Sequence, residues 1–222
     1  EDDQKFAEAI ESSFPVIMAV APEISSRVVP PEILSSFHEN QTRYPIPSKL
    51  QQLLSVQLAR DSASSFTGVV APISEIRKAS HSFGSVSTAP DSDGVFRHAG
   101  IGSRLGSLNF LSLPFAAYSA IATDASVIDQ SLLDQEGRLA LRFLGAAGTF
   151  KRYPISSIIK SFQLLEEGQD PFIKLEEFKD SVVFVGVEAP GLLDLRPTPL
   201  AENLTGVEYN ATVLDNIQNQ RF

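Results

Sequence analysis

Pro15-Val16-Ile17-Met18-Ala19-Val20-Ala21-Pro22 is an unbroken apolar run closed at each end by proline. It falls far short of the roughly 18 consecutive apolar residues of a membrane span, and it has the length of a strand buried on both faces. A strand of that kind needs a sheet covered by helices. Phe66-Thr67-Gly68-Val69-Val70-Ala71-Pro72 repeats the pattern, and Ser181-Val182-Val183-Phe184-Val185-Gly186 is its clearest instance. Arg138 to Leu144 alternates and ends at Gly145, a further strand. Between these runs the apolar period lengthens to that of a helix. Phe6, Ala7, Ile10 and Phe14 mark a first, acidic helix, and Leu50, Leu53, Leu54 and Leu58 mark another that Ser48 is placed to cap. Further helices are expected over 74–80, from about 109 to 123 with entry at Leu113-Pro114, over 155–165, and over 207–218. Val207, Ala211, Leu214 and Ile217 form the apolar stripe of the last one.

Ser85-Val86-Ser87 and Val95-Phe96-Arg97 flank a polar stretch that ends in Asp93-Gly94, a hairpin signal. Residues 23–47 are proline-rich without a steady period and read as an excursion over the surface. Interleaved strands and helices predict an α/β fold: a mixed, largely parallel sheet covered by helices on both faces, with an inserted β-hairpin. A single domain over 1–222 is expected. An acidic helix beginning at the first residue also predicts that the native chain continues beyond both ends.

The 27 acidic against 18 basic residues give a net charge of −9, which disfavours a general nucleic-acid surface. With no cysteine, thiol nucleophiles, thiolate metal sites and disulfides are excluded. His38, His81 and His98 have no metal-ligand spacing, and Thr42 stands where a helical zinc motif starting at His38 needs its second histidine. Asp91-Ser92-Asp93-Gly94 resembles the start of a calcium loop, but the glycine comes too early and the twelfth position is Gly102 instead of glutamate. Asp91, Asp93 and Gly94 are therefore read as turn residues, and no metal or cofactor is expected. No Gly-x-Ser-x-Gly elbow or phosphate-binding glycine loop is present.

The segment from Gly186 to Asp194, containing Glu188 and Gly191, leaves the carboxyl end of the clearest strand, where open α/β sheets place ligands. A ligand site is expected where this loop meets the hairpin, with Arg97, Glu188 and Asp194 as its polar groups.

Several motifs together resemble the type-two CHASE domains, extracellular sensing domains associated with cyclases and histidine kinases. Asp91-Ser92-Asp93-Gly94-Val95-Phe96-Arg97 matches the family's Asp-x-Asp-Gly-Val-x-Arg, and Ser112-Leu113-Pro114 its helix opening. Phe143 to Phe150 matches a strand ending in an aromatic and glycines. Gly186, Ala189, Gly191, Leu192 and Asp194 fit the Gly-x-x-Ala-x-Gly-Leu-x-Asp pattern, followed by Thr198-Pro199 and by Gly206-Val207-Glu208 with Ala211. These matches cover residues 84–217, and the acidic helix and strand of 3–22 also fit. The family's upstream strand–helix unit with its Trp-Pro-Trp-type segment is missing, since the chain has no tryptophan.

The resemblance implies a periplasmic, extracytoplasmic sensor domain of a bacterial inner-membrane receptor. Its implied output is a cytoplasmic adenylate or guanylate cyclase, a histidine kinase or a serine/threonine kinase. The partners then expected are a small ligand or an extracytoplasmic protein, flanking membrane helices and a second copy of the chain, with no nucleic acid. Two other readings compete. A structural dimerisation module would bury a large apolar patch, and a serine/histidine hydrolase would cluster His81 or His98 with a carboxylate and an exposed serine.

Overall fold

The computed structural model describes residues 2–13, 15–25, 29–122, 128–187 and 194–222. In chain order the elements are α1 (Asp2–Ser12), β1 (Ile17–Glu23), α2 (Pro31–Arg43), α3 (Ser48–Arg60), β2 (Ser65–Phe66), β3 (Gly68–Val70) and α4 (Ser74–Ala79). Next come β4 (Ser82–Ser85), β5 (His98–Ala99), β6 (Gly102–Leu105), β7 (Leu108–Leu111), α5 (Leu113–Ile121) and β8 (Leu139–Ala140). The chain finishes with α6 (Ile155–Glu166), β9 (Leu195–Thr198), β10 (Ala201–Thr205) and α7 (Gly206–Asn219).

The α/β class is as expected, but among the described residues the strands form four small sheets in place of one largely parallel sheet. β1 lies between β3, antiparallel to it, and β4, parallel to it. β6 lies between parallel β2 and antiparallel β7. The pairs β5–β8 and β9–β10 are antiparallel. A parallel bridge from Ser85 to Ser112 and a buried hydroxyl pair, Ser85 to Ser103 at 2.9 Å, stitch the first two sheets together.

Phe37 of α2, fully buried, seals that seam. Its ring meets Phe83 of β4 at 4.8 Å and Phe110 of β7 at 5.1 Å, both edge-on. The larger core gathers α3, α5 and α7 around Leu54, Ile101, Phe115 and Ile217. Gln57 of α3 is buried in that region and its amide is saturated. Its Oε1 accepts from the N–H groups of Ile101 and Gly102, and its Nε2 donates to the Gly102 carbonyl and the Ser64 hydroxyl.

Three expectations need correction. The 23–47 stretch holds a full helix, α2, which Pro31 opens and which buries Phe37. The Asp91–Gly94 turn closes through Asp91 N–H to the Val95 carbonyl at 2.9 Å, yet its arms do not form a hairpin ladder. The arm after the turn is drawn to β9 instead, with Phe96 N–H donating to the Pro197 carbonyl at 2.8 Å. Residues 182–185 form no strand. Phe184 packs inward, Val183 and Val185 face solvent, and no strand ladder includes the segment among the described residues.

α7 is the best-anchored helix. Thr205 caps it by accepting the Glu208 N–H, and Tyr209, Val213, Leu214 and Ile217 are buried. Of the expected stripe, Leu214 and Ile217 are fully buried while Val207 and Ala211 are half-buried. Lower down, Asn216 accepts the Arg142 N–H at 2.8 Å and donates to the Arg142 carbonyl at 3.0 Å.

Candidate functional site

The turn at 91–98 is a knot of charge. Gly94 takes φ +84, a left-handed conformation that a side chain would strain. Arg97 grips Asp93 with both arms of its guanidinium, at 2.9 and 2.8 Å, and reaches Asp91 at 3.3 Å. Asp91, largely buried, also binds His98 Nδ1 at 2.8 Å and Arg138 Nη1 at 3.2 Å. Arg138 in turn holds Asp134 at 3.1 Å and Glu136 at 2.7 Å. The Arg97 fork and the Val95 N–H bring the Asp93 carboxyl down to about 2. Burial pushes Asp91 upward, but the bonds from His98 and Arg97 outweigh it and leave its pKa lowered. Arg97 is thus committed to two carboxylates of its own turn.

Beside this knot, the Arg196 guanidinium of β9 lies against two rings that meet edge-on, 5.4 Å from the centroid of Phe96 and 5.0 Å from that of Tyr209. Its Nη2 donates to Asp194 at 3.0 Å, while its buried Nε has no partner among the described residues. Tyr209 donates to the His98 carbonyl at 2.8 Å, and burial raises its phenol above the ordinary range. Asp194 sits over the first residue of α7: Gly206 N–H donates to its carbonyl at 2.9 Å. A Cβ at position 206 would come within 1.9 Å of Asp194 Oδ2, so any larger residue there would have to displace the Asp194 carboxylate.

Arg97 and Asp194 therefore lie on neighbouring chain segments but serve different partners. Glu188 and Gly191 lie outside the described residues, and Gly186 packs against Val207. Neither His81 nor His98 is hydrogen-bonded to a serine hydroxyl among the described residues.

Glu208, in the first turn of α7, carries a role beyond its place in the Gly206-Val207-Glu208 motif. Its buried carboxylate accepts the N–H groups of Gly148 and Thr149 and pairs with Arg152. Burial alone would raise its pKa, yet the Gly148 N–H and Arg152 hold it below the ordinary value.

A second feature escaped the sequence reading entirely. A cleft of about 320 Å³ opens at the amino ends of β1 and β4, against the end of α2 and residues 109–111 of β7. That volume is at the lower end of small-molecule sites, roughly 300–1,000 Å³. Ile17, Phe83, Phe110 and Leu111 supply apolar wall, while Arg43, Tyr44 and His81 supply polar and aromatic groups. The Asn40-Gln41-Thr42-Arg43-Tyr44 run, ending a helix between prolines, was the available signal.

No curated protein and no solved structure matches this chain. The family model described as the CHASE2 domain matches residues 1–222, the whole chain. That family consists of sensory domains of signalling proteins, sensory in role rather than catalytic and typically extracellular. The motifs that form the charged turn, the Asp194–Gly206 contact and the Glu208 anchor are the ones that suggested it, and the chain belongs to the CHASE2 domain family.

Proposed function

We propose that this domain is the extracytoplasmic, periplasmic input module of a bacterial inner-membrane receptor. It takes a small ligand or an extracytoplasmic protein and controls a cytoplasmic nucleotide cyclase, histidine kinase or serine/threonine kinase. The observation that carries this reading is the match of the whole chain to a sensory family. The anchoring of α7 supports it: Glu208, Tyr209 and Asn216 tie that helix to three other segments, so it follows the domain as a rigid body. No helix among the described residues is long and apolar enough to cross a membrane, and on this reading the spans are flanking segments.

The test is Leu214→Ala in the full-length receptor. Leu214 is buried on α7, and its truncation should weaken the coupling of stimulus to output while basal output chemistry stays intact. Unchanged signalling in a variant shown to have lost stability at α7 would overturn the route.

A homodimer is the second reading, favoured by α6. Ile155, Ile159 and Phe162 lie on one stripe of that helix and are each more than half exposed. Sedimentation of the domain before and after Phe162→Glu tests it. Loss of a dimer in the variant supports the reading, and a monomer in both discards it.

A further inference from the structure

The cleft at the amino ends of β1 and β4 has a one-sided chemistry. Its wall is apolar, and none of the residues lining it is acidic. The Tyr44 and His81 rings stand together, centroids 5.6 Å apart. His81 is oriented: the Val16 N–H donates to Nδ1 at 3.1 Å, which in the neutral imidazole leaves the ring proton on Nε2 as a donor. The Asn40 amide is spent on the carbonyls of Ser80 and His81, at 3.0 and 3.2 Å. The Gln41 amide is spent on the Asn109 carbonyl at 2.6 Å. These bonds fasten α2 to the residues leading into β4 and to β7 and so brace the walls of the cleft. Arg43 is different. It lines the same cleft, is exposed, and its side chain makes no hydrogen bond or ion pair to any described residue.

We propose that this cleft binds a small aromatic carboxylate. The ring lies against Tyr44 and His81 over the apolar wall, where flat apolar surface is removed from water. The carboxylate meets the guanidinium of Arg43, whose fork matches two carboxylate oxygens. In a chain of net charge −9, an unpaired arginine beside an apolar recess is the feature that selects an anion with an apolar body. Arg43 also neutralises the negative end of the α2 dipole, and the test separates that role from ligand binding.

The proposal rests on the sensor reading only in treating such a ligand as the stimulus. The experiment is isothermal titration calorimetry on the 222-residue chain with three probes. Benzoate carries ring and charge, benzyl alcohol the ring alone, and acetate the charge alone. Benzoate should bind saturably with a Kd of roughly millimolar or tighter, as befits so small a molecule. Benzyl alcohol and acetate should each bind at least about tenfold more weakly. Arg43→Gln and, separately, Tyr44→Ala should each weaken benzoate by about tenfold or more with the fold retained by circular dichroism. Equal affinity of benzoate for the Arg43→Gln variant overturns the proposal, as does the absence of saturable benzoate binding to the parent chain. A benzoate site lost with Arg43 would stand even if Leu214→Ala left signalling untouched, so the two readings fail separately.

Discussion

The carboxylate of Glu208 accepts the backbone N–H of Gly148 through both of its oxygens, at 2.9 and 3.0 Å. A loop some sixty residues upstream is thereby fixed to the first turn of α7, where a negative charge also suits the helix dipole.

Glu208→Ala strands the Gly148 and Thr149 N–H groups and leaves Arg152 without this carboxylate. A loss of about 2–3 kcal/mol is expected, since bonds to charged groups are stronger than neutral ones. Glu208→Gln keeps one acceptor oxygen and should cost less. Urea denaturation of both variants checks the order, and equal losses would contradict it.

Acid should unfold the domain in a defined window. Asp93, held by Arg97, and Glu177, held by Lys151 and Tyr153, both have carboxyls lowered to about 2. Groups whose folded pKa is depressed add stability that is complete above their unfolded pKa, about 4, and is lost as pH falls through the folded value. The melting temperature should therefore drop between about pH 4 and pH 2, while above about pH 5 the stabilisation from these groups is complete and adds no further pH dependence. In the double variant Asp93→Asn, Glu177→Gln this acid limb should be shallower. An identical limb would assign acid lability to other groups.

Gln57→Leu replaces a buried amide by a slightly shorter apolar chain. It leaves the Ile101 and Gly102 N–H groups and the Gly102 carbonyl without that partner inside the core. A loss of about 3 kcal/mol or more follows from orphaning buried backbone groups. Thermal unfolding measures it, and a neutral result would mean that water enters to replace the amide.

Phe37→Ala removes the ring that spans the seam between the two three-stranded sheets. A cost of about 3–5 kcal/mol is expected from the lost burial and the cavity. Phe37→Leu should recover much of it. If the alanine variant lost less than about 1 kcal/mol, the seam would have to collapse around the gap.

Helices with a strong apolar period were legible: α3 buries Leu50, Leu53, Leu54 and Leu58 as the spacing demanded, and α5 starts at Leu113-Pro114. Strands were harder, because apolarity reports a segment's wish for burial and not the presence of a partner edge. Val182–Val185 has the composition of a central strand and remains unpaired, while β1 reaches Glu23 through a proline. The β6–β7 hairpin was missed although Gly106-Ser107 between Leu105 and Leu108 is a two-residue turn signal. The charged turn was visible as a motif, but Arg97 looks free in sequence and is consumed by Asp91 and Asp93 in space. The cleft was invisible for a related reason: its walls come from α2, β1, β4 and β7, which no local pattern brings together.

Asn216 presents to Arg142 one acceptor and one donor, as a neighbouring peptide unit in a ladder would. The side chain of a helix thus imitates a strand and holds the backbone just beyond β8 to α7. An axial slip of α7 by one residue, about 1.5 Å, would break both bonds at once. Gliding along its axis is accordingly a costly coordinate for this helix. Whatever displaces the stretch around Arg142 moves α7 with it, as a crank moves its shaft.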